Sequence, residues 1–387
     1  MFHHGAIGIH LKPKTQNKYT HMKTFSEYNR HINESAASEH TLFPTDKEEL
    51  AKMIHDEIEK QGINADLNHI DVSKITNFSG LFAWSRFCGD ISGWDVSNAR
   101  TMSGMFEGSD AFNGDISGWD VSNVENMSYM FCNSKFNGDI SGWDVSNVTN
   151  MQNMFTKSEF DQDLSGWDVS EVTTMFGMFA WSKFNSDISS WDVRNVTNMA
   201  EMFKYSCFDG NLKRWNTKNV VNMREMFRNS KFNQDISKWD VSKVEDMKQM
   251  FTSSVFNRDI SDWDVSNVKD MTSMFSSSIF NSDISTWDVS NVENMSHMFS
   301  LCKTFNQDLS GWDVSSVTNM SDMFNGCESF NQDISSWNVS KVTDMYRMFC
   351  DAKSFDQDIS RWDMTNVKYN DYMFFDCPCQ YEHQPKF

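Results

Sequence analysis

The chain has 387 residues, with 54 acidic against 34 basic side chains and a formal net charge of −20. That balance argues against binding nucleic acid or an anionic membrane through bulk charge. No apolar run approaches the roughly 20 residues a membrane span needs, so membrane insertion is not expected. The opening MFHHGAIGIHLKPK lacks the apolar region and cleavage site of a secretory signal. Phe (32), Met (27) and Trp (14) are abundant although hydrophobic content is only 39%. The core is therefore built from few, bulky groups.

Residues 1–44 carry no regular apolar pattern and read as a disordered or irregular segment. Within them Met22 opens MKTFSEYNRHINES, which looks like a natural start, so translation from Met1 or from Met22 both stay open. Residues 45–64 read as a capping helix. Thr45 and Glu48 make a capping box, Leu50, Met53, Ile54 and Ile58 line one face at helical spacing, and Gly62 suits the stop.

From residue 65 to 376 one phrase recurs, as in FNGDISGWDVSNVTNMQNMF at 136–155. Its tryptophans are Trp94, Trp119, Trp143, Trp167, Trp191, Trp215, Trp239, Trp263, Trp287, Trp312, Trp337 and Trp362, in steps of 24 or 25. A fixed period of that length marks a solenoid whose units bury their apolar faces only against their neighbours. Leu67, Ile70 and Val72 stand in the first unit where Ile91, Trp94 and Val96 stand in the next. The segment Ile-x-x-Trp-x-Val puts Trp and Val two apart and predicts a short strand. Val124, Met127 and Phe131 then follow at helical spacing, with Ser122 and Glu125 as a capping box, and predict a short helix. The fold class expected is α/β: a right-handed, leucine-rich-repeat-like solenoid of about 13 turns, one strand and one helix each, behind a helical cap. Near Trp215 the pattern weakens, with Asn211, Asn216 and Thr217 in place of Asp, Asp and Val. Residues 377–387 read as a C-terminal tail, frayed from residue 380.

The recurring W-D-V-S-x-V-x-x-M-x-x-M-F-x-x-x-x-F-N-x-D-I-S closely resembles the BspA-like leucine-rich-repeat surface proteins. The resemblance implies surface display and binding of host or matrix proteins. Typical members carry a signal sequence and an anchor, and neither is seen here. The start at Met22 also looks like those of large-phage proteins, which keeps open a spacer or particle component of a phage or prophage.

Asp144, Asp168, Asp192, Asp240 and Asp264 each follow their Trp directly and should stack at about one strand spacing, ~5 Å. Two such charges repel by about 0.8 kcal/mol even in water. Local backbone N–H groups or calcium bridging between turns would each offset that. Apart from calcium no cofactor is implied. A second set, including Asp90, Asp115 and Asp139, precedes the Ile, and Asn113, Asn137 and Asn185 follow the loop Phe; both read as turn residues.

Specificity should sit where units differ. The residue before each Trp varies and includes Arg214, Lys238, Asp262 and Arg361. In the middle of the array Arg194, Lys213, Arg214, Lys218 and Lys238 form a basic island in an acidic chain. Trp84 and Trp181 fall outside the strand register, each in an Ala-Trp-Ser loop, as candidate aromatic anchors. A protein or glycan partner is the expectation. Of ten histidines only His297 lies within the repeat units, and phosphate-loop, nucleophile-elbow and zincin motifs are lacking, so an enzyme is not expected. Cys302 and Cys327 share one offset, so a disulfide or two stacked thiols both remain open. Cys377, Cys379 and His383 make a faint metal constellation.

Overall fold

The computed structural model describes residues 40–386; the readings made on residues 1–39, Met22 included, lie outside them. Helix α1 spans Lys47–Gln61. Its N-cap is Asp46, not Thr45: the Asp46 carboxylate accepts from the Glu49 N–H at 2.9 Å, while Glu49 reaches back to the Thr45 N–H at 2.8 Å. The capping box is thus shifted by one residue, because an extended Asp offers a charged acceptor where Thr offers a hydroxyl. Gly62 ends the helix at φ 87°, its N–H on the Ile58 carbonyl. Leu50 and Ile54 are buried and join the central core.

Beyond α1 the units lie side by side in parallel. Single-residue bridges run from Asn77 to Thr101, Asn126, Asn150, Thr174 and on to Asp344 and Tyr369, always to the same place in the next unit. With two further bridges at the start, Leu42 to Ile70 and Asp66 to Asp90, these are the extent of the strand structure among the described residues. The Ile-x-x-Trp-x-Val segment is not a strand: the Trp143 N–H donates to the Ile140 carbonyl at 3.2 Å, closing a tight turn that recurs in every unit. The segment from Val124 to Phe131 is not a helix either. Met127, Tyr129, Phe131 and Asn133 donate their N–H groups to Asn150, Gln152, Met154 and Thr156 of the next unit, and Met130 and Cys132 close tight turns between them. Tyr129 and Asn133 take φ 59° and 54°. A left-handed residue at every fourth place reverses the twist that a helix must keep, so the apolar spacing survives while the element changes.

The apolar columns form one continuous core. Trp119 and Trp143 stack with centroids 6.5 Å apart, Phe131 and Phe155 at 5.7 Å, and Phe131 on Phe136 at 4.4 Å. Met127 and Met130 are fully buried. Each indole N–H of the buried Trp column also has a fixed acceptor: Trp143 Nε1 donates to the Ile116 carbonyl of the preceding unit at 3.1 Å. The first unit keeps the rule, with Trp94 Nε1 on Leu67. Where Asn216 and Asn211 replace Asp, their amide oxygens still accept from Lys218 and Lys213. Buried Thr217 takes the Val place and satisfies its hydroxyl on the Asp240 carbonyl.

A polar ladder runs beside the core. The side-chain oxygen of Asn113 accepts from the Asn137 N–H, Asn137 from Asp161, Asp161 from Asn185, and so on through Asn257 and Asn281 to Asp356 and Gln380. The tail is not frayed at residue 380: the Ile359 N–H donates to the His383 carbonyl, and His383 Nδ1 sits 3.0 Å from Asp356. Cys302 and Cys327 are both free thiols, buried and bonded to the Phe280 and Phe299 carbonyls.

Candidate binding face

The segment Met-x-x-Met-Phe-x-x has a constant inside and a variable outside. Its Met and Phe residues are buried in unit after unit. The residue two places after the first Met is left-handed throughout and varies between units, as in Tyr129, Asn153, Gly177, Glu201, Glu225, Gln249, His297 and Arg347. Four places further on, a second left-handed column reads Trp84, Asn133, Lys157, Trp181, Tyr205, Asn229, Leu301. The backbone N–H groups of both columns are tied to the next unit, so the side chains are held at a fixed spacing on one face. Such a face presents a chosen row of groups without disturbing the core.

Two places on this face are chemically distinctive. At the first, Trp181 stacks on Tyr205 with centroids 3.8 Å apart and planes at 9°, and the Arg228 guanidinium lies 6.0 Å from the Tyr205 ring. Beside them Glu225, buried to 3%, takes Lys204 Nζ at 2.7 Å and Arg228 Nη1 at 2.8 Å, with Arg224 Nε at 3.2 Å. Burial would push the Glu225 carboxyl upward, but the hydrogen bonds from Lys204 and Arg228 outweigh it and bring it down to about 2. Trp181 nonetheless keeps about half its surface, 49%, in solvent. At the second, Arg347 lies between Tyr346 and Tyr372, 5.1 and 5.7 Å from their centroids, and lines a recess of about 360 Å³ with Asn325, Asp351 and Phe375.

The residues singled out in the sequence fall on two different segments. Trp84 and Trp181 belong to the left-handed column just described. Trp84 is 68% exposed and lies flat over Gly108, where any Cβ would meet its ring at 2.4 Å. Arg194, Arg214, Lys218, Lys238, Asp262 and Arg361 lie instead on the Trp turns. Arg194 forks onto Asp192 of its own unit, Lys213 pairs with Asp235, and Lys238 with Asp262. The basic island is thus largely neutralised by neighbouring carboxylates. Arg214, Lys218 and Arg361 are exposed and form no ion pair among the described residues. Tyr205, Glu225, Arg228 and Arg347 were not found from the sequence. The available signal was the variation of the x positions inside an otherwise fixed Met-x-x-Met-Phe.

The Asp residues after each Trp make local bonds. Asp144 Oδ1 accepts from the Ser146 hydroxyl at 2.6 Å and from its N–H at 3.1 Å, and Asp240 does the same with Ser242. Asp168 and Asp264 accept from the N–H of Ser170 and Ser266, and Asp192 from Arg194. These donors hold the Asp144, Asp192 and Asp240 carboxyls below their ordinary range. Among the described residues no group of three or more His, Cys, Asp and Glu gathers around one point. Burial pushes the Cys377 and Cys379 thiols up to about 11 and about 12. No helix among the described residues is long and apolar enough to cross a membrane.

A single family model matches the chain four times in overlapping stretches, at residues 48–158, 132–207, 204–299 and 276–384. The chain belongs to the DUF285 family. The family is described as Mycoplasma protein of unknown function, and its matches coincide with the repeated units seen above. A search of curated proteins finds no match. As a DUF285 array the molecule is a repeat protein, and its repeats are built on the buried Trp, Met and Phe columns.

Proposed function

We propose that this DUF285 chain is a non-catalytic binding protein that holds a protein partner on its Met-x-x-Met-Phe-x-x face. The array itself we read as a solenoid related in layout to the leucine-rich repeats, with surface display of the BspA-like kind. One observation carries the reading. Left-handed positions whose backbone is fixed to the next unit carry varied side chains, so this diversity sits on a rigid and uniform support. An exposed Trp181 stacked on a half-buried Tyr205 and flanked by Arg and Glu is what interface centres use, because such rings bury large area at low entropic cost. The Trp181–Tyr205–Arg228 row is the proposed centre. The partner is a protein rather than a glycan, because Tyr205 is already covered by Trp181 on one side and Arg228 approaches it on another.

A photo-crosslinking residue placed at position 205 in intact producing cells should give a discrete protein adduct. The same residue at 142, in a Trp turn, should not. Equal adducts from both positions, or none from either, would overturn the reading. A spacer or particle role is the second reading, favoured by the near-identity of units such as 113–131 and 137–155. It predicts adducts only with copies of the chain itself or with particle proteins.

A further inference from the structure

Several arginines of the array end on a carboxylate. Arg100 reaches Glu125, Arg194 forks onto Asp192, and Arg224 and Arg228 both meet Glu225. Arg347 does not, and unlike Arg214 and Arg361 it stands in a recess. Its guanidinium lies 5.1 Å from the Tyr346 centroid and 5.7 Å from that of Tyr372. Among the described residues it has neither an ion pair nor a hydrogen-bond acceptor. The two rings stand edge to face, 6.3 Å apart at 89°. The backbone beneath is tied on both sides: the Arg347 N–H donates to the Asp371 carbonyl, and the Arg347 carbonyl accepts from the Cys350 N–H. The forked donor is thus held by rings and backbone rather than by a counter-charge.

The carboxylates around that recess are already claimed. Asp322 Oδ1 accepts from the Asn325 amide at 2.6 Å, and its Oδ2 lies 3.8 Å from His297 Nε2. Lys353 Nζ meets Asp351 at 2.8 Å and also meets Asp376. Cys350 Sγ lies 3.5 Å from the other Asp351 oxygen. The remaining wall is aromatic. Tyr372 and Phe375, 58% and 59% exposed, meet at 78° with centroids 6.1 Å apart. The volume of about 360 Å³ falls within the range of small-ligand sites.

We propose that this recess binds a residue-sized monocarboxylate that carries an aromatic or apolar group. The forked N–H groups of Arg347 match the two oxygens of a carboxylate. Tyr372 and Phe375 offer an edge-to-face seat for a ring. Charge sets the limit on the ligand. Arg347 and Lys353 stand against Asp322, Asp351 and Asp376, so negative charge exceeds positive around the recess. A dianion such as a phosphate ester meets that field at a higher cost than a monoanion. The C-terminal residue of a polypeptide and a free aromatic acid both have the required chemistry. The site lies several units beyond the Trp181 row and holds whether or not that row is an interface.

Isothermal titration of the full chain with N-acetyl-phenylalanine and with its C-terminal amide tests the site. The acid should bind at least roughly 10-fold more tightly than the amide, and more tightly than phenyl phosphate. Arg347→Gln should reduce the acid to the affinity of the amide. Arg347→Lys should retain only part of the difference, because an ammonium lacks the fork. Phe375→Ala should weaken acid and amide alike. Arg86→Gln, which alters an exposed arginine early in the array, should change nothing. A short peptide ending in phenylalanine with a free carboxylate separates the two sources. Binding at least roughly 10-fold tighter than that of N-acetyl-phenylalanine assigns the site to chain ends, and equal binding assigns it to a free acid. Equal affinity for acid and amide would overturn the proposal. So would tighter binding of phenyl phosphate, acid binding undiminished by Arg347→Gln, or no binding of acid or peptide at millimolar concentration. The comparison of acid with amide uses the unaltered chain, so it decides the matter even if a variant misfolds.

Discussion

The indole N–H of Trp239 donates to the carbonyl of Leu212 at 3.0 Å, one unit earlier in the array. The ring itself stacks on Trp215 at 6.4 Å and is 3% exposed. Trp239 therefore joins units in two ways, by area and by one buried hydrogen bond. Trp239→Ala should lower stability by roughly 3–5 kcal/mol. Trp239→Phe keeps most of the area but removes the indole hydrogen bond, while the Leu212 carbonyl keeps the Trp215 N–H, and should cost about 0.5–1.5 kcal/mol. Urea unfolding of both variants checks the order; equal losses would mean that the stacked ring area contributes nothing.

Glu225 offers a test by pH. Its carboxyl is held down to about 2 from an ordinary 4.5, against the upward push of burial, by Lys204 and Arg228. A depressed acid stabilises the fold above its unfolded value and loses that contribution as pH falls toward its folded value. The Glu225 contribution is therefore complete above about pH 4.5 and gone near about pH 2. Glu225→Gln should cost roughly 2–3 kcal/mol at neutral pH, since it strands two cations over a buried amide. The Tm gap between wild type and variant should close between those two pH values. A gap independent of pH would place the effect in packing instead.

The ladder beside the core predicts which substitutions are silent. Asn257 Oδ1 accepts from the Asn281 N–H at 2.8 Å, and Asp161, Asp209 and Asp356 fill the same place in other units. Asn257→Asp should shift stability by less than about 0.5 kcal/mol, because the accepting oxygen remains. Asn257→Ala should cost about 1 kcal/mol. Thermal melts of the pair read the difference directly.

Gly177 is the one place in its column where a neighbour, not the dihedral alone, demands glycine. At φ 60° a Cβ there would lie 2.1 Å from Asn153 Oδ1, although Asn153 and Glu201 hold similar angles themselves. Gly177→Ala should cost roughly 1–2 kcal/mol. Adding Asn153→Gly should recover part of that loss in a double-mutant cycle. Simple additivity would show that the clash is relieved by side-chain motion alone.

The carboxylates after each Trp are satisfied within their own turns, as Asp144 is by Ser146. Millimolar calcium should therefore leave Tm unchanged, as read by scanning calorimetry. A rise of several degrees would return Asp144, Asp168, Asp192, Asp240 and Asp264 to the list of metal ligands.

The sequence by itself determined the period, the core and the cap. Self-similarity at 24 or 25 residues is visible without coordinates, and a residue such as Trp239 that recurs in every unit has to be scaffold. The helix before the first unit was equally plain, because Leu50 and Ile54 follow a local rule of spacing. What the tertiary structure alone decided was the backbone between the buried groups. Met127 and Phe131 have helical spacing, yet their N–H groups bond to Asn150 and Met154 in the next unit rather than to carbonyls one turn back. Pattern reading weighs local partners, and these partners lie more than 20 residues away. The same reason hid the candidate site. Trp181, Tyr205 and Arg228 stand 24 and 23 residues apart in the chain, and become neighbours only because each unit's backbone is hydrogen-bonded to the next.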